Sequence, residues 1–460
     1  MPRKAKELVW EEPPVRLPAE LSEFLSRETY SLLIKGGSGS GKTILALTIL
    51  SGLKARGNML YLSTRTSPLQ LLKDYPWIGK VFGRGPEPSA EGRPEASWET
   101  LVDARLDEPG IVFERITNVL MDKQAPTVAV DSWESLNDSM DDEALKTNIR
   151  VLQTWRERAR ARFIFVGEEM ANTMIDSIVD GVVTLTEQVS SGRRLREIFL
   201  SKLRGVQISR PSYFFSLENG VFHSFDRYSQ SEFGIARPSP SQNLRTPSGE
   251  QRRISTGFRP LDEVMGGGYP PKSVALIETD QRVDPRVVVA FLSGTIREWA
   301  ANGRRVILHK SETIDAAVVS QLKASLGASA SNEVEIWDPH TGAITGRVDS
   351  LGSLQSKVAE AKTPVLVVVD WDRIAEATGA AAAGAQETLI DFLKKRADLS
   401  IFVSRSRPAE NPVSGIAATD IRIVEINGTI FAMSEKPWSE LYAMVPGRRS
   451  SQGLQLERVV

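Results

Sequence analysis

The sequence contains no cysteine and only three histidines among its 460 residues. The absence of cysteine excludes disulfides, thiolate metal sites and cysteine nucleophiles, and it is typical of a reducing compartment. Three histidines are too few for a histidine-rich metal centre. No apolar run is long enough to span a bilayer, and the first residues lack the apolar core of a signal peptide. The sequence therefore predicts a soluble, cytoplasmic protein with no membrane partner.

An excess of charge of one sign is also missing. The chain carries 57 basic and 58 acidic residues, for a formal net charge of -1. The field of the whole chain therefore favours neither nucleic acid nor a membrane surface. One basic run at residues 156–162 could contact nucleic acid, or it could be the exposed end of a helix, where cations favour the C-terminal dipole. We expect the second, which makes nucleic acid the less favoured partner.

Short apolar runs recur along the chain, for example at residues 31–34, 59–62, 128–130 and 163–166. They read as strands that are buried on both faces, and segments with helical periodicity lie between them. Strands alternating with helices indicate crossover connections and a mostly parallel sheet. The predicted fold class is therefore α/β, with parallel sheets flanked by helices.

Composition divides the chain into segments. Residues 236–254 are rich in proline, serine and polar side chains and are predicted to be a linker. They separate an N-terminal domain at residues 1–235 from a C-terminal domain at residues 255–445. Residues 446–460 are polar and are predicted to be a frayed tail.

The two halves repeat four local patterns in the same order. In two of these matches, Asp131 of the first half corresponds to Asp370 of the second, and Asp180 corresponds to Asp420. Four matches in order indicate a duplicated domain, although any two parallel-sheet domains share some strings of this kind.

One glycine-rich segment fits the pattern G-x-x-x-x-G-K-[ST] at every fixed position, between an apolar strand and a helical segment. It consists of Gly36, Gly37, Ser38, Gly39, Ser40, Gly41, Lys42 and Thr43. Glycines let the backbone N–H groups converge on an anion, and the start of a helix adds partial positive charge. The segment predicts a site for ATP, in which Lys42 binds the β- and γ-phosphates and Thr43 binds Mg²⁺. The alternative is a glycine-rich turn that carries a lysine by chance.

Asp131 ends a buried apolar run downstream of this loop. A carboxylate in that position is typical of the Walker-B strand, where it holds Mg²⁺ through water. The alternative is an aspartate that ends a strand and caps the next turn. We predict that Asp131 and Thr43 hold the metal and that Lys42 and Asp131 take part in catalysis.

These features, with Lys202-Leu203-Arg204-Gly205 and a T-G-x-x-x-L-D-x-x-x-G-G-G segment beginning at Thr256, resemble the KaiC-like branch of RecA-type ATPases. Within that branch the chain is similar to the archaeal gas-vesicle regulator GvpD family. The resemblance implies tandem RecA-like domains and assembly into a homo-oligomer. It also implies that Lys202 and Arg204 act in trans on the nucleotide of a neighbouring subunit, against the alternative of ordinary strand-end cations.

The chain departs from that family where the family carries a glutamate pair that activates water. Arg65 and Thr66 stand at the matching positions. Arginine cannot accept a proton at neutral pH, so we expect intact binding and slow hydrolysis. Glu168 and Glu169 could substitute as the base, or they could be a solvated pair at a strand end.

The second half lacks a phosphate loop. Its matching segment, residues 278–285, contains three carboxylates and a proline, and it has neither a glycine nest nor G-K-[ST]. We predict that this half does not bind ATP in the ordinary way and that Asp370 is a remnant of the duplication.

The predicted function is that of an ATP-binding regulator, in which nucleotide state controls assembly or affinity for a partner. The resemblance suggests a transcription regulator as that partner. Two alternatives stay open. One is an active ATPase or DNA-recombination paralogue, and the other is a structural scaffold with a stabilising nucleotide.

Overall fold

The computed structural model describes residues 16–53, 58–82, 100–137, 140, 142–168, 174–229, 253–339, 349–362, 364–378, 383–405, 412–447 and 453–460. The backbone divides into two compact units. The first comprises Met1–Asp226 with Val459–Val460, and the second comprises Arg227–Arg458.

The first unit is built on a nine-stranded sheet. Its strands are β1 (Tyr30–Gly36), β2 (Met59–Ser63), β3 (Leu101–Asp103), β4 (Thr127–Asp131), β5 (Arg162–Val166), β6 (Gly181–Ser190), β7 (Arg193–Leu203), β8 (Ser212–Ser216) and β9 (His223–Ser224). The order across the sheet is β3-β2-β4-β5-β1-β6-β7-β8-β9. The strands from β3 to β6 in that order pair in parallel, and β7, β8 and β9 are added antiparallel.

Helices cover both faces of this sheet. They are α1 (Ala19–Leu25), α2 (Lys42–Gly52), α3 (Pro68–Asp74), α4 (Gly79–Phe82), α5 (Pro109–Asp122), α6 (Glu134–Asn137), α7 (Asp142–Ala159) and α8 (Met174–Ile178). Alternate side chains of a strand point to opposite faces. Accordingly, Leu32 and Ile34 of β1 pack in one core with Ala46 of α2, whereas Leu33 packs in a second core with Val112 of α5. The carboxyl ends of β1, β4 and β5 therefore meet at one edge, where their loops can share a site.

The second unit has the same architecture. Its strands are β10 (Ser273–Thr279), β11 (Arg305–His309), β12 (Val334–Trp337), β13 (Val365–Asp370), β14 (Leu399–Ser404), β15 (Thr419–Ile426), β16 (Thr429–Lys436), β17 (Tyr442–Pro446) and β18 (Leu454–Arg458). Their order, β12-β11-β13-β14-β10-β15-β16-β17-β18, repeats that of the first sheet position by position. The predicted α/β class, with two mostly parallel sheets in tandem, is confirmed.

The helices of the second unit are α9 (Arg259–Val264), α10 (Pro285–Ala301), α11 (Ala316–Ser325), α12 (Ala328–Asn332), α13 (Asp349–Glu360), α14 (Trp371–Thr378), α15 (Ala383–Arg396) and α16 (Pro412–Ile416). The T-G-x-x-x-L-D segment leads into α9. The Asp262 carboxylate accepts hydrogen bonds from the backbone N–H and the hydroxyl of Thr256, both at 2.7 Å, and so ties the segment to α9.

The structure contradicts the predicted frayed tail. The polar tail predicted at residues 446–460 contains β18, which pairs antiparallel with β17. Leu454 and Leu456 alternate with polar residues, and Leu456 is buried in the core, which is the period-two pattern of a strand. The predicted linker at residues 236–254 lies almost entirely outside the described residues.

The match of Asp180 with Asp420 is also wrong, by two residues. The Asp180 N–H donates to Ser31 O at 3.0 Å, and the equivalent bond in the second unit runs from Ala418 N–H to Val274 O at 2.9 Å. Asp180 therefore corresponds to Ala418.

Candidate functional site

The glycine-rich loop joins β1 to α2, as the sequence predicts. Gly36 has φ +155°, and a Cβ built there would lie 2.5 Å from Leu185 O and 2.6 Å from Ser40 Oγ. Gly41 has φ +101° and would clash with Leu217. These two glycines are therefore required by the path of the chain. Gly41 is also the N-cap of α2, and no side chain caps that helix, so its first N–H groups face the loop.

Lys42 lies over this loop. Its Nζ donates to Gly36 O at 2.6 Å and to Gly37 O at 2.8 Å. Burial lowers the pKa of Lys42, and the charges of Glu168, Asp131 and Glu134 oppose that shift. The ammonium group is thus placed at the mouth of the loop, within the field of three carboxylates.

The serines and the remaining glycine of the loop differ in exposure. Ser38 and Gly39 are exposed, whereas Ser40 is buried, and none of the described residues bonds to its Oγ. The Arg196 guanidinium of β7 donates to Gly39 O at 3.0 Å. Arg196 was not predicted to belong to this site. The structure instead brings this largely buried cation to the loop.

Asp131 lies at the end of β4 and faces the start of α2. Its Oδ2 accepts hydrogen bonds from Thr43 Oγ1 at 2.7 Å and from Tyr61 OH at 2.6 Å. The structure therefore brings the predicted pair Thr43 and Asp131 into direct contact. Tyr61 was missed, although its place on β2 beside β4 follows from the parallel register, in which Tyr61 pairs with Ala129. Burial raises the pKa of Tyr61 well above its usual value, so it remains a donor to Asp131.

Arg65 follows β2 and reaches the end of β5. Its NH1 donates to Glu168 Oε1 at 2.7 Å, and both side chains are about half exposed (49% and 44%). This bond is the main cause of the lowered pKa of Glu168. A carboxylate held in this way is a weaker proton acceptor than a free one. Glu169, the neighbouring candidate, lies outside the described residues.

Glu134, which the sequence analysis did not single out, begins α6 three residues after Asp131. Its Oε1 accepts the backbone N–H of Glu168 at 2.5 Å. Its Oε2 is buried, and none of the described residues donates to it. The sequence signal was available, because a carboxylate close behind a Walker-B strand lies at the same sheet edge as the loop.

Lys202 and Arg204 contact their own chain. Lys202 Nζ donates to the carbonyls of Asp176, Ser177 and Val179 at 2.6–3.3 Å, at the C-terminal end of α8. Arg204 pairs with Asp180 at 3.1 Å. These contacts favour the alternative of strand-end cations.

The second unit supports the same interpretation of Lys202. Lys436 has the same place in its hairpin, since Lys202 pairs with Val182 and Lys436 with Asp420, next to the register shift in each pair of strands. Its Nζ donates to Ser414 O of α16 at 2.6 Å. A lysine that supports a helix end in both units is expected from the fold, with or without a phosphate loop.

The basic run at residues 156–162 is only partly a surface feature. Arg156 has a side chain that is 13% exposed, and it pairs with Asp180. Arg160 is exposed, as expected for the end of a helix. This division favours the structural interpretation over nucleic-acid binding.

In the second unit, the segment that matches the phosphate loop is closed by two side chains of that unit, Asp284 and Arg405. Asp284 is the N-cap of α10 and accepts the Arg286 N–H at 2.8 Å, so a carboxylate occupies the helix start. Arg405 NH2 donates to Gln281 O at 2.8 Å and to Val283 O at 2.9 Å. Burial raises the pKa of Asp370, which takes the place of Asp131.

Among the described residues, no group of three or more histidine or acidic side chains is placed to hold a metal ion. No helix within the described ranges has both the length and the apolar character needed to cross a bilayer.

Comparison with known proteins places the first unit in a family. Residues 24–223 match the family model described as "ATPase: KaiC". Protein GvpD2 of Halobacterium salinarum is 26% identical over 308 residues, covering 62% of this chain and 59% of that protein. Protein GvpD1 of the same organism is 27% identical, covering 57% and 50%. The circadian clock oscillator protein KaiC of Rippkaea orientalis is 24% identical, covering 61% and 53%. The chain thus spans half to three fifths of these relatives.

Proposed function

We propose, from the premise that residues 24–223 form a KaiC-like domain of the RecA-type P-loop ATPases, that this chain is an ATP-binding regulator. The loop from Gly36 to Thr43 binds ATP with Mg²⁺. The state of that nucleotide controls assembly of the chain or its affinity for a partner. The second unit does not bind nucleotide, and hydrolysis in the first is slow.

The observation that carries this proposal is the start of α2. The helix has no side-chain cap, its N-cap is a glycine in the left-handed region, and the Lys42 ammonium lies 2.6–2.8 Å from the loop carbonyls. Free N–H groups at a helix start, together with a cation, bind a phosphate chain. The buried Ser40 hydroxyl, which has no donor or acceptor among the described residues, adds a polar group for such an anion.

The chemistry of Thr43 and Asp131 fits Mg²⁺. The Thr43 hydroxyl gives its proton to Asp131, so the lone pairs of its oxygen are available to a hard cation. Asp131 is the carboxylate that would hold the metal through water. Bound Mg²⁺ supplies neutralisation of phosphate charge, while Tyr61 keeps Asp131 oriented toward Thr43.

Slow hydrolysis follows from Arg65. It occupies the place where the family carries a water-activating glutamate, and it holds Glu168 in an ion pair. Removal of a general base is worth about 10²–10⁴-fold in rate. A slow site holds its nucleotide long enough to act as a switch, in which contacts to the γ-phosphate bias one of two states.

Assembly and partner binding are the outputs of that switch. The resemblance to KaiC-like proteins favours a homo-oligomer, and the similarity to GvpD proteins favours a protein partner such as a transcription regulator. The second unit, closed by Asp284 and Arg405, would supply a fixed surface for either interaction.

The first test is thermal stabilisation by ATP·Mg²⁺. Ligand at a hundred times its Kd stabilises by about 2.7 kcal/mol, or roughly 5–10 °C for a unit of this size. We expect Lys42→Ala to abolish the shift and the exposed Lys73→Ala to preserve it. Equal stabilisation of the Lys42 variant and the natural chain would remove the loop from the proposal.

The second test measures the molecular mass in solution with and without ATP·Mg²⁺, alongside phosphate release. We expect a nucleotide-dependent mass and slow turnover. Fast, DNA-stimulated turnover with strong salt dependence would support the recombination alternative. A shift in Tm with no change in mass or partner binding would support the scaffold.

A further inference from the structure

We propose that Glu134 is the general base for the residual hydrolysis of ATP in the first unit, an inference that rests on the proposed function. Its carboxylate accepts the proton of the attacking water, in place of the glutamate that Arg65 has replaced.

The position of Glu134 places it in the site. It lies three residues beyond Asp131, on the loop that follows β4. The preceding residue, Trp133, donates its backbone N–H to Val166 O at 2.8 Å, which ties this loop to the end of β5. The charge of Glu134 acts on the Lys42 ammonium. Glu134 therefore lies at the same sheet edge as the group that binds the γ-phosphate.

One oxygen of Glu134 has a structural role and the other does not. Oε1 accepts the Glu168 N–H at 2.5 Å, which fixes the direction of the carboxylate. Oε2 is buried, and within the described residues it has no donor. A buried carboxylate oxygen without a donor is costly, so such an oxygen calls for a proton or a water molecule.

The second unit provides an internal comparison. There Asp372 binds the corresponding strand end, but both of its oxygens have donors. Ser404 Oγ donates to Oδ1 at 2.8 Å, and Arg405 N–H donates to Oδ2 at 2.6 Å. In the unit without a phosphate loop, this carboxylate is therefore fully used in structure.

The residue that makes the difference is Gly167. The parallel registers align Val166 with Ile34 and Val403 with Ile277, so Gly167 takes the place of Ser404. A Cβ on Gly167 would lie 2.7 Å from Glu134 Oε1. Glycine both removes the hydroxyl donor and makes room for the longer carboxylate. The unit with the phosphate loop is the one that leaves a carboxylate oxygen without a donor.

Glu168 is the competing base, and its contacts weaken it. Arg65 donates to its carboxylate and lowers its pKa. A lower pKa makes a poorer proton acceptor. Glu134 has no cation bonded to it among the described residues, and its bond to a neutral backbone N–H leaves one oxygen available.

Water forms a bond from its oxygen to the γ-phosphorus and gives one proton to Glu134 Oε2. The bond from the γ-phosphorus to the oxygen it shares with the β-phosphorus breaks, and its electron pair leaves with ADP. Inorganic phosphate is released, and Glu134 returns the proton to solvent.

The test is single-turnover phosphate release from ATP·Mg²⁺ with the full chain in excess, together with the ATP-induced Tm shift. We expect Glu134→Gln to lower the rate at least about 100-fold while the Tm shift is preserved. The control is Glu114→Gln, an exposed carboxylate on α5.

A second variant tests the comparison between the units. Gly167→Ser supplies the hydroxyl that Ser404 gives to Asp372, and the flexible end of Glu134 can shift to accept it. We expect the same loss of rate with the Tm shift retained. This variant still tests the role of Glu134 if Glu134→Gln fails to fold.

Several results would overturn the proposal. Glu134→Gln could turn over at the natural rate, or Glu168→Gln could abolish turnover where Glu134→Gln does not. The natural chain could also bind ATP and release no phosphate. If it does not bind ATP at all, the proposed function itself fails, which is a distinguishable outcome.

Discussion

The hydroxyl of Tyr61 offers a sharp test of how the site is held before any nucleotide binds. It donates to Asp131 Oδ2 at 2.6 Å, and Asp131 is only 8% exposed. Tyr61→Phe removes this bond without creating a cavity larger than one oxygen. A hydrogen bond to a charged, buried acceptor contributes about 1.5–3 kcal/mol. We therefore expect the unfolding free energy of the first unit to fall by about 2 kcal/mol.

Calorimetry measures this loss. For a unit of roughly 200 residues, 1 kcal/mol shifts Tm by about 2–4 °C, so the transition of the first unit should move down by roughly 4–8 °C. That transition is identified as the one that ATP·Mg²⁺ raises. Asp131 should also hold Mg²⁺ less well in the variant, because only Thr43 then orients it. The dependence of the ATP-induced shift on Mg²⁺ concentration should move to higher concentration.

Tyr30→Phe is the matched control. Tyr30 lies on β1 of the same unit and is fully buried, but its hydroxyl has no partner among the described residues. Its removal should leave Tm unchanged or raise it, because an unsatisfied buried hydroxyl costs free energy. If both variants lower Tm equally, the bond from Tyr61 to Asp131 contributes nothing and our account of the site is refuted.

Thr66→Glu combined with Arg65→Glu should raise turnover about 10²-fold or more by restoring a base, whereas an unchanged rate would show that the missing glutamate does not limit hydrolysis. Lys202→Met should lower the free energy of unfolding by about 1–3 kcal/mol, because the carbonyls at the end of α8 lose their donor, and turnover should be retained. Loss of turnover in the intact assembly would instead support a role in trans. Burial, with the charge of Glu278, raises the pKa of Asp420 to about 6, so the folded state disfavours the ionised form and stability should fall as pH rises from 4 to 6. Asp420→Asn should remove that loss, so that the free energy of unfolding measured with urea rises by about 3 kcal/mol at pH 7.5 and changes little at pH 4. A gain in stability that is the same at both pH values would contradict the assignment.

Local sequence patterns were enough to predict the fold class and the loop. Apolar runs as short as Leu32–Ile34 indicate strands covered on both faces. The motif G-x-x-x-x-G-K-[ST] specifies both the glycines that shape the loop backbone and the lysine that supplies its positive charge. The antiparallel strands β7, β8 and β9 were not predicted. Their pairing depends on contacts across the sheet, and exposed polar residues interrupt the pattern of β6 and β7.

The rest of the site depends on which strand ends meet. Tyr61 and Glu134 have no motif of their own, and they matter because β2, β4 and β5 are neighbours in the sheet. A string match also aligned Asp180 with Asp420, whereas the strand registers align Asp180 with Ala418. Sequence similarity between the halves does not fix register, since a shift of two residues preserves the face to which side chains point.

Because both Asp284 and Arg405 close the second unit, we expect that no single substitution would open it to an anion. Replacing the aspartate alone would uncap α10 while the guanidinium still held the loop carbonyls. Replacing the arginine alone would free those carbonyls and leave negative charge at the helix start. Neither change alone would therefore create an anion site. We therefore expect the conformation of this half to be independent of ATP concentration, in line with the proposal that only the first unit binds nucleotide.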